Sequence, residues 1–362
     1  MSPSGTSLSS SQAAFRLGVS VKALRLYEQR GLIAPDRTAA GWRAYGPAEM
    51  ARATEIVSLR SLGLSLAQVA RVLGGDPSDL EAGLAAHEAL LQAQAQQIAS
   101  TLDKVRRIRS DLVRGRAPAP AELAHAIESS AHLTVAFDLP WPWGGELFEL
   151  RDIRPLNYIT GPLGSGKTRL AARLAETLPD AKFVGLERLD DSAIVRSRLD
   201  EDAILKSRVE RVMTWLIEDG AQRSDALIAL IVALEAETPR ILVIDMVEQD
   251  LDQATQVALI AHLRLRMQKN RVVFLLTRSS SILDLDALGG DETIVLCPAN
   301  HSPPMCVGPY PGGPGYEAVA TCLAAPEVRA RTAGVIAWRQ AWSSSKAATP
   351  ACPAAIPNAP DR

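Results

Sequence analysis

The alternation of apolar and polar positions changes rhythm twice along this chain. Up to Leu73 the apolar residues come in short helical bursts punctuated by turns such as Gly18-Val19 and Gly31. From Leu80 to Leu112 one pattern runs without a break through Leu80, Leu84, His87, Leu91, Ala95, Ile98, Leu102, Val105, Ile108 and Leu112. The spacings are all three or four, the a/d rhythm of a coiled-coil seam, with slips around Ala95 and Ile108 and a polar His87. Beyond Pro120 short apolar runs alternate with helical stretches. Strands are predicted over 133–137, 147–150, 157–160, 183–186, 241–245, 272–277 and 293–296. A long helical region is expected over 191–237, a Pro/Gly loop over 300–315 and a last helix over 316–342. This alternation predicts an α/β domain with a largely parallel sheet.

The chain therefore reads as multidomain: an all-α head over 12–75, a coiled-coil helix over 78–114, a linker over 115–130 that opens with GRAPAP, an α/β body over 131–342 and a disordered tail over 343–362. No internal repeat is visible.

Within the head, residues 12–17 form one short helix and Ser20 is a good N-cap for a second over 21–29, stopped by Gly31. Two short helices across a tight glycine turn fit the helix-turn-helix plan, whose second helix enters the major groove. Leu17, Val19 and Leu24 supply the small core, while Lys22, Arg25 and Arg30 fall on the outer face with Tyr27 nearby.

A longer stretch of the head is more specific. The run GVSVKALRLYEQRGLIAP, then GWRAY, then RSLGLSLAQVARVL closely resembles the MerR family of bacterial regulators over residues 12–73. The resemblance implies a winged helix-turn-helix that dimerises through the long helix in antiparallel fashion. It also implies a pseudo-palindromic promoter with an unusually long spacer, which the protein distorts to help RNA polymerase. Carried over onto this sequence, Lys22, Arg25 and Tyr27 would face DNA from the second helix, and Arg43 and Tyr45 would contact phosphate from the wing. Leu26 stands where many relatives have an aromatic, which affects one backbone contact. Metal-sensing members carry cysteines around the start of the long helix and just after it; here no cysteine precedes Cys297.

Charge is consistent with that reading. Residues 1–73 hold nine Lys/Arg and four Asp/Glu, a net of +5, and since the whole chain of 362 residues sums to -2 the remainder carries -7. A basic head on an acidic body is the asymmetry expected when the head alone meets nucleic acid. Four cysteines, at 297, 306, 322 and 352, are too few and too badly spaced for a disulfide framework or a tetrahedral zinc site. With no signal peptide and no apolar run long enough to span a bilayer, a cytoplasmic protein without a membrane partner is expected.

The body carries its own motif. Residues 156–160 read as a strand that runs into Gly161-Pro162-Leu163-Gly164-Ser165-Gly166-Lys167-Thr168 and then a helix, RLAARLAETL. This is the GxxxxGK[ST] P-loop in its strand-loop-helix context. Glycines let backbone N–H groups curl around phosphate, and the helix N-terminus adds a favourable dipole. The predicted nucleotide-binding residues are Gly161, Gly164, Ser165, Gly166, Lys167 and Thr168, with Lys167 reaching the β/γ-phosphates and Thr168 holding Mg²⁺. The run RILVID is a buried strand ending in an acid, which gives Asp245 the Walker-B role on the same Mg²⁺.

The sequence around these motifs, ALEAETPRILVID with Leu251-Asp252 and then VVFLLT, resembles the ATP-binding cassette class over about residues 133–300. It departs from that class at three places. Met246 stands where the catalytic glutamate usually follows the Walker-B acid, Arg278 stands where a switch histidine is usual, and GAQRS over 220–224 lacks the signature sequence. Glu248 is the candidate substitute base. Nucleotide binding is thus expected with slow ATPase turnover at most, since general-base help is worth roughly 10²–10⁴ in rate.

The expected protein is a dimeric, DNA-binding transcription regulator that pairs through residues 80–112 and takes ATP and Mg²⁺ at its P-loop as the regulatory signal. Its expected partners are double-stranded promoter DNA and RNA polymerase. The alternative is a DNA-tethered ATPase that uses the head for targeting alone. No base-reading motif separates ATP from GTP.

Overall fold

The structure is a computed structural model that describes residues 7–114, 116, 133–190, 192–266, 271–289, 292–308, 310, 312–324 and 328. Most of the predicted linker and the whole of the predicted tail lie outside the described residues.

The head opens with α1 (Ser10–Leu17) and α2 (Val21–Gln29). Ser20 caps α2 by accepting the Ala23 N–H at 3.1 Å. Gly18 and Gly31 take the left-handed conformation that ends each helix, with φ of +66° and +68°. A two-residue antiparallel wing, β1 (Asp36–Arg37) and β2 (Arg43–Ala44), comes next. It leads into α3 (Pro47–Ser61), with proline at its first position, and α4 (Leu66–Leu73), capped by Ser65. Their apolar faces meet in one cluster around Leu24, Tyr45, Ile56 and Val69.

Helix α5 (Ser78–Val113) spans 36 residues, about 54 Å at 1.5 Å per residue. Leu80 packs onto the head. Beyond it Leu84, Leu91, Ile98, Leu102, Val105 and Leu112 are each between 41% and 61% exposed, so the predicted seam faces outward along the helix.

The body is built on a six-stranded sheet in the order β10-β9-β5-β8-β7-β6. These strands are β5 (Leu156–Thr160), β6 (Ala181–Val184), β7 (Ile241–Ile244), β8 (Val272–Leu276), β9 (Glu292–Leu296) and β10 (Met305–Val307). All neighbours run parallel except β10 against β9. Side chains alternate between two cores. Tyr158, Leu242, Ile244, Val273 and Leu275 point to one face, and Ile159, Val243, Phe274, Leu276 and Val295 to the other. Burial on both faces explains why these strands read as unbroken apolar runs. An antiparallel hairpin, β3 (Leu133–Asp138) and β4 (Leu147–Ile153), joins α6 (Lys167–Thr177) on the second face.

The predicted helical region over 191–237 is three helices, α7 (Ser192–Glu201), α8 (Ala203–Glu218) and α9 (Asp225–Glu235). Asp202 caps α8 and Ser224 caps α9, and these local hydrogen bonds cut what periodicity alone runs together. After α10 (Gln253–Arg266) two further differences appear. The loop expected over 300–315 contains β10, an edge strand too short to show a period. Helix α11 (Tyr316–Cys322) stops at Cys322, and Ala324 bridges to Ser279 in parallel fashion; of the helix predicted over 316–342, residues 325–327 and 329–342 lie outside the described residues.

Head and body meet at the turn between α3 and α4. Asp219, at the end of α8, is 3% exposed and accepts from both terminal nitrogens of Arg60, at 2.7 and 3.0 Å, and from the Leu66 N–H at 2.7 Å. The Trp215 indole donates to the Gly63 carbonyl at 2.9 Å and its ring lies under the Arg60 guanidinium. The Ser65 hydroxyl donates to Glu218 at 2.7 Å. Gly220 has φ of +109°, and a side chain there would collide with Arg30.

Phe274, fully buried on β8, tests the packing of the sheet. Phe274→Ala should cost about 3–5 kcal/mol, read as a lower midpoint in chemical denaturation with an unchanged slope.

Candidate functional site

Two groups of predicted residues come together in space. The first is at the carboxyl edge of the body sheet, where open α/β sheets bind ligands. The loop Gly161–Gly166 leaves β5 there, and Asp245 leaves β7, with β8 lying between the two strands. Gly161 has φ of +150°, and a Cβ on it would collide with the Cys297 carbonyl; Gly166 has φ of +90°, and a Cβ there would run into the ring of Trp143. Glycine is thus required at both positions by conformation and by space. Trp143 is itself held by its indole N–H on the Ser302 carbonyl at 3.1 Å.

Lys167 donates to the Gly161 and Pro162 carbonyls at 2.9 and 2.7 Å, so its ammonium lies across the mouth of the loop. The Thr168 hydroxyl donates to Asp245 Oδ2 at 3.0 Å. Burial pushes the Lys167 ammonium below its ordinary pKa and the Asp245 carboxyl above its own. Each charged form is therefore held at a cost that an opposite charge would offset. The donor set fits a magnesium nucleotide: a hydroxyl and a carboxylate for a hard cation, and a glycine cradle with a lysine for phosphate. The Cys297 thiol beside Lys167 is pushed up to about 12 by burial, so it stays protonated.

One residue at this edge escapes sequence reading. Arg188 is buried and donates to the Gly185 and Asp245 carbonyls through one terminal nitrogen, at 2.7 and 2.8 Å, and to the Met246 carbonyl through the other at 2.8 Å. Met246 sits at φ of +45°, and Arg188 is the clamp that holds this turn. An acid after an apolar strand is a visible signal; an arginine 57 positions earlier that binds its backbone is not. Glu248 reaches the same edge and is buried, with Oε1 accepting the Arg278 N–H at 3.0 Å. The carboxylate thus ties the Asp245 turn to the end of β8.

The second group is in the head. Arg25 is exposed on α2, as expected. Lys22 is half-exposed, and its ammonium is turned toward the body. Tyr27 and Tyr45 differ from their expected outward placement. They are 5% and 0% exposed, because their rings fill the small core that Leu24 and Ile56 alone cannot close. Arg43 in the wing pairs with Glu28 of α2, as does Arg37 at 2.9 Å. Glu28, unremarked in the sequence, fastens the wing to α2.

The head thus defines the class, a helix-turn-helix protein with a small wing. Residues 8–75 match the MerR HTH family regulatory protein family. The chain is 34% identical over 102 residues to a probable heavy metal-dependent transcriptional regulator of Haemophilus influenzae, covering 26% of this chain and 80% of that one. It is 34% identical over 108 residues to the HTH-type transcriptional activator TipA of Streptomyces coelicolor, covering 29% of this chain and 43% of TipA. The chain belongs to the MerR family, as a DNA-binding transcriptional regulator.

Among solved structures, a MerR family regulator lacking the sensor domain, HiNmlR bound to promoter DNA, covers 30% of this chain and 92% of its own at 20% identity and a TM-score of 0.25. A chain described as a metal-chelate type ABC transporter, in an inward-facing conformation, covers 45% of this chain and 78% of its own at 17% identity and a TM-score of 0.32. At scores this low neither likeness bears on function. No helix among the described residues is long and apolar enough to cross a membrane.

Arg188→Met should lose about 1.5–3 kcal/mol per charged hydrogen bond removed, less whatever water restores, seen as a lower denaturation midpoint. Arg188→Lys should not recover it, because a point ammonium cannot replace the planar fork across the two terminal nitrogens.

Proposed function

We propose that this chain regulates transcription as a homodimer on promoter DNA, and that a nucleoside triphosphate with Mg²⁺ at the body is its signal. The observation that carries the nucleotide reading is the pairing of Thr168 with Asp245 at 3.0 Å beside a loop that glycine alone can form. Gly161, Gly164, Ser165 and Gly166 would cradle phosphate, Lys167 would neutralise it, and Thr168 and Asp245 would hold the metal. The metal, when bound, supplies charge neutralisation of the phosphates. Trp141, exposed beside the loop and with the Arg169 guanidinium 4.4 Å from its ring centroid, offers a stacking face to either purine.

A sensor is favoured over a motor. Met246 follows Asp245, and Glu248 is buried with an oxygen committed to the Arg278 N–H, which argues against its ordering a water for attack. Turnover is accordingly slow on this reading. A DNA-tethered ATPase would instead require rapid, DNA-stimulated hydrolysis.

On DNA, Arg25 and Lys22 of α2 and Arg43 of the wing are the groups of the head suited to bases and phosphates, and RNA polymerase is the expected partner at the promoter. The outward row Leu84, Leu91, Ile98, Leu102, Val105 and Leu112 supports pairing with a second copy, because so many large apolar side chains in one row on a surface helix are seldom left in water.

Promoter binding and in-vitro transcription with and without ATP–Mg²⁺ test the signal. Wild type should respond, while Lys167→Ala should bind a fluorescent nucleotide at least tenfold more weakly and lose the response. Equal behaviour of both proteins with and without nucleotide would sink the reading.

Leu91→Glu with Ile98→Glu should convert the dimer to a monomer in light scattering and abolish tight operator binding. A dimer that survives both substitutions would show that α5 is not the pairing surface.

A further inference from the structure

Three cations of the head are each met by a carboxylate of the body. Arg60 pairs with Asp219 at 2.7 Å, Arg71 lies 3.8 Å from Glu218, and Lys22 lies 3.6 Å from Asp284 while donating to the Ser280 carbonyl at 2.5 Å. The third contact differs in kind from the other two. Arg60 and Arg71 stand on α3 and α4, whereas Lys22 is the second residue of α2, and a recognition helix reads DNA from its N-terminal residues.

The segment that meets Lys22 is a firm wall. Its Ser280 N–H donates to the Ala324 carbonyl at 3.1 Å, the Leu283 N–H to the Ser279 carbonyl at 3.0 Å, and the Ser281 N–H to the Ser279 hydroxyl at 3.1 Å. Ile282 and Leu283 are fully buried in the body core. A major groove about 12 Å wide must close around α2, with a sugar-phosphate strand on either side of it. The Ser280–Asp284 wall lies against Lys22, on the side from which such a strand would have to approach if α2 enters the groove by its N-terminal end.

We infer that the Ser280–Asp284 segment is an intramolecular docking surface for the DNA-reading helix, and that the body and a DNA duplex compete for it. The carboxylate and carbonyl stand where phosphate oxygens would stand. In this arrangement the head is withheld from DNA, and binding requires the body to release α2. The apparent affinity for DNA is then the intrinsic affinity reduced by the fraction of molecules released. This inference rests on the reading that α2 enters DNA. It does not depend on nucleotide binding.

The test uses the full chain and a duplex that the protein itself selects from a random-sequence pool, followed by fluorescence anisotropy. Asp284→Ala removes the carboxylate that faces Lys22 and leaves every DNA-facing side chain of the head in place. It should bind the duplex about 3–10-fold more tightly than wild type, and Glu218→Ala with Asp284→Ala should bind more tightly still. Hydrogen exchange on the unaltered protein gives a readout that needs no variant: peptides over 278–285 and 213–221 should exchange faster in the DNA complex. Lys22→Ala checks the underlying reading separately and should weaken binding in both backgrounds. If Lys22→Ala weakens binding while the carboxylate variants bind no tighter than wild type, or if DNA leaves those peptides equally or better protected, the inference is overturned.

Discussion

Asp219 is a buried carboxylate that collects three donors from another domain, the two guanidinium nitrogens of Arg60 and the backbone N–H of Leu66. A buried charge that keeps its partner and its hydrogen bonds is tolerated, and one that loses them is strongly destabilising. The joint is therefore close to all-or-none in geometry. Arg60 also donates to the Leu64 carbonyl at 2.9 Å, so the same side chain that binds the body shapes the turn leading into α4. Trp215, Ser65 and Gly220 are aligned around that pair, and while it is made the head and the body keep the position in which Lys22 meets Asp284.

That position has consequences at both ends. Asp219 closes α8, which packs under the body core, and the Ser280–Asp284 segment comes directly after β8. At the end of β8 the Arg278 N–H holds Glu248, three residues past Asp245. The Ser280–Asp284 segment that touches the head thus follows a strand whose end is tied to the Asp245 turn at the glycine-loop edge. If a nucleotide binds at that edge, it can shift the head only by favouring one arrangement of these elements over another. The Arg188 clamp on the Asp245 and Met246 carbonyls holds the turn beside that edge.

Much of this was legible in the order of residues. The short capped helices of the head, the outward seam of α5, the parallel strands and the glycine loop all have local causes: a serine cap, a period of three to four, a run of β-branched residues, a glycine at positive φ. Features without a local cause were not legible. Tyr27 and Tyr45 carry polar tips and sit among basic residues, so they read as surface groups, yet a domain as small as the head needs their rings as core. β10 is too short to declare itself and exists because β9 offers it an edge. Glu28 and Arg188 belong to no motif, since what makes them matter is a backbone or a side chain distant in sequence that folding brings to them.

The sequence by itself determined the class of the head and its membership of the MerR family, the length of α5, and the constellation Gly161, Gly166, Lys167, Thr168 and Asp245. Each of these rests on interactions within a few residues or on a motif whose spacing is set by its own chemistry. Only the tertiary structure decided which residues of head and body touch. It turned Lys22 toward Asp284, buried Arg60 against Asp219, and set Arg188 behind Asp245. The physical reason is separation along the chain. These contacts join positions 262, 159 and 57 residues apart, and no periodicity or local propensity carries information over such distances until two packed surfaces bring the groups together.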